Sequence, residues 1–291
     1  MLRRIQIILA MIKFEHTIFA LPFALLAALV AVRGLPTLGQ LGWLLVAMVG
    51  ARSSAMTVNR IVDVAYDRRN PRTATRALPA GVLTLGQAWA FALVTAGLLV
   101  LAAYMLNPLA CYLSPVALAV IWGYSVTKRF TRYSHLVLGL ALGIAPSAAW
   151  IALTGRLDLP PMLLTLAVLC WTAGFDIIYA CQDVEFDRQV GLHSLPAKIG
   201  LAPALRLSSA LHAVAFVLLL AFGVAAALRL GYALALVPVA WLLIAQHRMV
   251  RADDLTRVNA AFFTANGAIS VALLLGAIVD VLCAPHLARW W

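Results

Sequence analysis

An all-α, polytopic membrane bundle of nine crossings is the fold class the sequence predicts, and three observations predict it. Hydrophobic residues make up 64% of the 291 and charged residues only 11%, about half the charge of an ordinary soluble domain. Nine apolar windows approach the roughly 20 residues that a helix needs to cross a bilayer. The stretches between them alternate between short, turn-like pieces and long, basic ones, as loops on opposite sides of a membrane do.

The first window, 17–34, ends at the turn Arg33-Gly34-Leu35-Pro36, and the second, 39–58, ends where Asn59 opens a polar face. A long basic stretch precedes the third window, 86–106, which Asn107-Pro108 separates from the fourth, 109–126. Lys128, Arg129 and Arg132 stand before the fifth, 134–154, in which Gly139 and Gly143 form a GxxxG pair suited to close helix approach. The turn from Gly155 to Pro161 leads into the sixth, 160–181, which runs into an acidic segment. Arg229-Leu230-Gly231 divides the seventh, 204–227, from the eighth, 231–246, and a basic loop follows before the ninth, 259–281. At about 30 residues per crossing and loop, nothing is left for a soluble domain, so residues 1–291 read as one membrane domain. Residues 1–13 read as a short cytoplasmic surface segment rather than a cleaved signal, because no small-residue cleavage site follows them.

The net charge of +11 would suggest nucleic acid in a soluble protein. Here the cations sit in clusters between apolar runs, which favours anionic lipid and an anionic substrate and excludes nucleic acid as the partner. Seventeen Lys and Arg fall on one side of the nine windows and four on the other, with Arg52 inside a crossing. The positive-inside rule then puts the N-terminus in the cytoplasm and the C-terminus outside, where Trp290 and Trp291 suit the interface. Cys111, Cys170, Cys181 and Cys283 lie singly in apolar stretches, with no zinc or disulfide spacing. Nothing points to an obligate protein partner.

Acidic residues are scarce, and six of the 11 sit in two places: Asp63 and Asp67, then Asp176, Asp183, Glu185 and Asp187. Asn59, Asp63 and Asp67 are spaced i, i+4, i+8, which stacks three oxygen-bearing side chains on one helix face. Tyr179, Asp183 and Asp187 repeat the spacing, with Asp176 two turns earlier. Neighbouring carboxylates repel unless cations lie between them, and hard oxygen ligands of this kind suit Mg2+ held jointly with a phosphate. If the helices carrying the two faces are neighbours, the faces meet across one cavity at the cytoplasmic interface, and a diphosphate bridging two metal ions is its natural occupant. Arg52 shares the face of Asn59 and Asp63 and reads as an inward phosphate or carboxylate ligand. Arg72 and Arg76, just past the first face, read as substrate contacts, as do Lys128 and Arg129 after Tyr124.

The pattern Asn59-x3-Asp63-x3-Asp67, then Arg76-Ala77-Leu78-Pro79-Ala80-Gly81, with Asp176-x2-Tyr179-Ala180-x2-Asp183-x3-Asp187, resembles the UbiA superfamily of intramembrane aromatic prenyltransferases. Tyr124-x3-Lys128-Arg129 and the opening from Lys13 to Pro22 look like the same family, and the likeness runs from about residue 10 to 280. One departure is Asn59-Arg60, where many members have Asn-Asp. The resemblance implies a nine-helix bundle with a central cavity open to the cytoplasmic side and sideways to lipid. It implies Mg2+-dependent transfer of a polyprenyl group from polyprenyl diphosphate to a small aromatic acid. Asp63, Asp67, Asp183 and Asp187, oriented by Asn59, would hold the metal. Arg72, Arg76 and Lys128 would meet the diphosphate, Arg129 would meet an acceptor carboxylate, and Asp176 is the candidate for the base. The expected acceptor is 4-hydroxybenzoate, leading to ubiquinone, with a menaquinone-pathway aromatic as the alternative. A transporter of an anionic or metal-bound solute would instead carry its charges near the bilayer midplane on broken helices.

Overall fold

The computed structural model describes residues 7, 11, 12 and 19–283. Most of the 1–13 surface segment therefore lies outside the described residues, as do Lys13 to Ile18 of the family-like opening, Trp290 and Trp291. Among the described residues the chain is helical, without a β-strand. Eight helices are long and apolar enough to cross a membrane, and a shorter apolar one, Leu21–Val32 (α1), precedes them.

The long helices are α2 (Leu38–Arg69), α3 (Leu85–Leu106), α4 (Pro108–Thr127), α5 (Ser134–Thr154) and α6 (Leu159–Ala180). A 3-10 turn, Cys181–Asp183, leads into the short α7 (Val184–Val190) and α8 (Leu195–Ile199), followed by α9 (Leu201–Ala225), α10 (Leu230–Met249) and α11 (Asn266–Ile278). Two π-helical stretches, Ala261–Ala265 and Val279–Cys283, flank α11. Every expected window coincides with one of these helices.

Local chemistry sets the helix ends. Thr37 and Gln40 form a capping box at the start of α2, and Thr84 and Gln87 form the same device at the start of α3, satisfying amide groups that have no partner within the helix. Asn107 caps α4, whose first residue, Pro108, has no amide hydrogen to lose. At the far end of the bundle Asp280 accepts from the amides of Arg229, Gly231 and Tyr232 at 2.6, 2.8 and 2.9 Å, closing the start of α10 from the neighbouring helix.

The bundle has a solid half and a hollow half. In the solid half α1, α6, α9, α10 and α11 enclose a core containing Phe23, Leu26, Trp171, Phe175, Phe222, Tyr232 and Ile269. α5 is fastened to α6 by its small residues: a Cβ at Gly139 would run into the carbonyl of Leu169, and one at Gly143 would lie 2.8 Å from that of Thr165. The GxxxG pair therefore serves the close approach expected of it. In the hollow half α2, α3, α4 and α5 surround an apolar cavity of about 170 Å3, walled largely by alanine, Ala51, Ala55, Ala103, Ala117, Ala145 and Ala152 among them.

Two expectations need correction. α2 does not end near residue 59 but stays helical to Arg69, so Asn59, Asp63 and Asp67 all ride on one rigid face. The second acidic face is not one continuous helix, because the 3-10 turn at Cys181–Asp183 separates Tyr179 from Asp187. α2 and α6 also make no extensive contact, and the polar cavity lies between their ends.

Candidate active site

Above the apolar cavity, at the end of the bundle where the basic loops lie, is a polar cavity of about 230 Å3. Its lining includes Asn59, Asp63 and Asp67 from α2, Arg72 and Arg76 from the following loop, and Tyr124, Lys128 and Arg129 from the end of α4. Asp176 and Tyr179 from α6, Asp183 from the 3-10 turn and Asp187 from α7 complete the wall. Twelve of the thirteen sequence-derived site residues are thus brought together, although the two acidic motifs are far apart in the chain. Arg52 is the exception. It lines the apolar cavity beside Tyr124, which borders both spaces. The face shared with Asn59 is real, but seven residues of helix separate the two by about 10 Å of depth.

Four of the five cavity carboxylates each meet an arginine or lysine. Arg72 sends Nη2 to Asp183 at 3.0 and 2.8 Å from the two oxygens and Nη1 to the Tyr179 hydroxyl at 3.2 Å. Arg76 Nη1 lies 2.8 Å from both oxygens of Asp67. Lys128 Nζ is 2.8 Å from Asp187 Oδ1, and Arg129 Nη2 is 3.9 Å from Asp63 Oδ1 while donating to the Val62 carbonyl at 2.6 Å. Asn59 donates to Asp63 at 3.1 Å. The loop after α2 folds so that these arginines point inward: Asn70 accepts from the Arg72 amide, and the Thr73 hydroxyl donates to the Asp67 carbonyl, both at 3.0 Å. Burial works against the charge of Arg72, but Asp183 and the Tyr179 hydroxyl outweigh it and lift its pKa above the ordinary value.

The donor set fits a hard divalent cation. All the motif ligands are oxygens, and Asp187, 1% exposed, has two carboxylate oxygens without a hydrogen-bond donor among the described residues. Lys128 approaches that carboxylate without hydrogen-bond alignment, so the ion pair leaves the acceptor sites unfilled. Among the described residues no three His, Cys, Asp or Glu side chains converge on one metal position. Mg2+ does not require that, since one or two carboxylates and substrate phosphate oxygens suffice.

Among the cavity residues that the sequence reading did not single out is a buried histidine. His135, in the first turn of α5, is 4% exposed and reaches Asp176 at 2.6 Å. A lone histidine has no spacing to betray it. The available signal was its place, at the start of a crossing on the same side as both acidic motifs.

Comparison with known proteins identifies the family. The chain is 32% identical over 176 residues to a protein named 4-hydroxybenzoate octaprenyltransferase from Francisella tularensis subsp. novicida, a match covering 60% of this chain and 62% of that one. It is 36% identical over 175 residues to one named 4-hydroxybenzoate solanesyltransferase from Synechocystis, covering 59% of each. The chain therefore spans about three fifths of the length of the curated relatives it matches. Among solved structures, the apo structure of a UbiA homologue from Aeropyrum pernix K1 superposes with a TM-score of 0.84 at 37% identity, covering 92% of this chain and 98% of that chain. The model of the UbiA prenyltransferase family matches residues 20–268, and the chain is an integral membrane protein of that family.

Proposed function

We propose that the protein transfers a polyprenyl group from polyprenyl diphosphate to a small aromatic acid, 4-hydroxybenzoate, in ubiquinone biosynthesis, with Mg2+ as cofactor. The observation that carries this reading is the stacking of two cavities: one lined by both acidic motifs and four cations, and directly below it one lined by alanine and other apolar groups. An amphiphile with a diphosphate head and a hydrocarbon tail matches that pair. The names of the curated relatives favour 4-hydroxybenzoate over a menaquinone-pathway acceptor. A transporter is disfavoured, because the acids stand at one end of the bundle and not halfway along it.

Asp63, Asp67, Asp183 and Asp187, with Asn59, would hold the metal. When bound, Mg2+ neutralises charge developing on the diphosphate as its bond to carbon breaks. Arg72, Arg76 and Lys128, which lie against those same carboxylates, are placed to exchange them for diphosphate oxygens and so stabilise the leaving group. Arg129, beside Asp63 and over the ring of Tyr66, is placed to hold the acceptor carboxylate. Tyr124 stands where the cavities adjoin, with Arg52 beside it in the apolar one, and there the acceptor ring and the first carbon of the tail have to meet. The apolar walls keep water from the allylic cation. In this reading residues 1–291 act as one membrane domain, and the excess of basic residues in the loops around the polar cavity supports a cytoplasmic position for it, with the N-terminus inside and the C-terminus outside.

The test is to supply membranes containing the protein with polyprenyl diphosphate, Mg2+ and a panel of ring-labelled phenolic acids, and to measure lipid-extractable label. Metal-dependent labelling from 4-hydroxybenzoate is expected. Labelling from bicyclic acids alone would reassign the acceptor, and none from any acid would end the reading.

A further inference from the structure

His135 is tied at both ring nitrogens. Its Nε2 accepts from the backbone amide of Leu195 at 3.2 Å, and its Nδ1 lies 2.6 Å from Asp176 Oδ2. A backbone amide can only donate, so Nε2 carries a lone pair. A protonated imidazole would aim two donors at each other there. The single ring proton is therefore on Nδ1 and is donated to Asp176. The segment that supplies the Leu195 amide is itself held to the end of α4, where the His193 amide donates to the Lys128 carbonyl at 2.8 Å.

Asp176 thereby differs from the other four carboxylates of the cavity. Asp63, Asp67, Asp183 and Asp187 each face an arginine or lysine. Asp176 faces a neutral donor, has no other hydrogen-bond partner among the described residues, and keeps 23% of its side chain exposed to the cavity. It is held in one orientation without being neutralised, which is what a general base requires.

Resting on the prenyl transfer proposed above, we infer that His135 is a positioning residue for the removal of the ring proton, and that Asp176 is the group that accepts it. As the diphosphate leaves with the electron pair of its bond to carbon, the ring carbon bonds to the freed prenyl carbon. The pair of the C–H bond at that same ring carbon then returns to the aromatic system, and the proton passes to Asp176, making it a carboxylic acid. From there it leaves to water at the open mouth of the cavity. His135 cannot carry it onward, because Nε2 is occupied by Leu195.

Two conservative variants separate the two contacts of His135. Asparagine places an amide near Nδ1 and can still donate to Asp176. Glutamine places one near Nε2, where its oxygen can accept from Leu195 while Asp176 is left without a donor. Turnover is measured with 4-hydroxybenzoate, unlabelled and deuterated ortho to the hydroxyl. In H135Q, kcat is expected to fall about tenfold or more, with both KM values within about twofold, since misplacing a reacting group slows chemistry rather than binding. A ring-deuterium isotope effect on kcat, absent from the parent, should appear as proton removal becomes limiting. H135N should stay within about threefold of the parent and show no isotope effect. The inference is overturned if H135Q turns over like the parent, or if H135N and H135Q lose activity alike without an isotope effect, which is the signature of a purely structural histidine. Should H135Q fail to fold, Asp176→Asn decides: loss of kcat with unchanged KM for the diphosphate supports the inference, and parental kcat overturns it. A parent inactive with every aromatic acid removes the proposed function and this inference together, whereas an active parent confines any failure to His135 and Asp176.

Discussion

Arg72 and Asp183 are 111 residues apart in the chain, and their side chains meet at 2.8 Å. The contact lies in the wall of the polar cavity and joins the loop that follows one acidic motif to the second. One guanidinium group spans Asp183 and the Tyr179 hydroxyl at once, which the single ammonium of a lysine does not reproduce. Arg72→Lys is therefore expected to behave almost like Arg72→Ala, each raising KM for the diphosphate about tenfold, the scale of a lost charge-assisted hydrogen bond at a half-exposed site. Because the folded-state pKa of Arg72 is raised, its contribution is complete below the ordinary arginine range and is lost only as pH climbs through the raised value. The ratio of variant to parent KM should stay flat from about pH 6 to 9. A lysine variant with parental KM would show that the fork geometry is irrelevant.

Lys128 and Asp187 supply a prediction about metal removal. Asp187 is buried and its oxygens lack hydrogen-bond donors, so Lys128 is its only compensating charge among the described residues. Removing one partner of a buried pair exposes the full desolvation cost of the other, about 3–5 kcal/mol before allowance for the partly exposed lysine. Lys128→Met should accordingly lower Tm in chelator by about 5 °C or more. Adding Mg2+ and inorganic diphosphate should return much of that loss by binding the folded state. Differential scanning fluorimetry in detergent reads both. An unchanged Tm in chelator would mean that Asp187 carries no net charge in the folded protein.

Asp63 and Asp183 allow a sharper test. If each contributes to the metal site, Asp63→Ala and Asp183→Ala should each cut turnover by about 10^2-fold or more, the usual scale for losing electrostatic stabilisation of a departing anion. The folded protein should be recovered in parental yield, since neither is fully buried. Turnover retained in either variant would take that carboxylate out of the metal site.

The residues that hydropathy and helical period describe were legible, and those that depend on partners were not. All nine apolar windows coincide with helices, and Asn59, Asp63 and Asp67 share a face because α2 is one continuous helix through them. The helix outruns its window because hydropathy senses only the apolar part of α2, while the backbone continues to Arg69 and Arg76 anchors Asp67. The break at Cys181–Asp183 left no mark on the i, i+4, i+8 spacing. Arg52 lines the apolar cavity below the polar one, a level that periodicity does not give, since it fixes an angle around a helix and not a height along a cavity. The pairing of Arg72 with Asp183, and of His135 with Asp176, arises only when distant segments meet.

Gly139 and Gly143 predict where the bundle is least tolerant. A Cβ at either position meets backbone carbonyls of α6, which cannot step aside as a side chain can. Gly139→Ala should destabilise the protein by about 1–3 kcal/mol through overpacking, visible as a lower Tm in detergent. Gly97→Ala is the control: nothing lies within 4 Å of its Cβ position, and alanine is the better helix former. Equal shifts for the two would mean that α5 and α6 do not rely on close approach.

The alanine-walled cavity makes the last prediction, concerning the tail. On α5 its lining runs from Leu138 to Ala152, about 21 Å at the rise of an α-helix, so a tail extending from the polar cavity passes Ala145 about halfway. Ala145→Phe would fill that point with a ring and leave the polar cavity untouched. Transfer from a long polyprenyl diphosphate should fall about tenfold or more in kcat/KM, because several methylene groups lose their apolar surroundings at about 0.8 kcal/mol each. Transfer from a diphosphate with a single isoprene unit should stay within about threefold of the parent, since so short a tail does not reach Ala145. Competition between the two donors in one reaction measures the ratio directly. If both fall alike, the substitution has disturbed the polar cavity or the packing of α5; if neither falls, the tail leaves the bundle before it reaches Ala145.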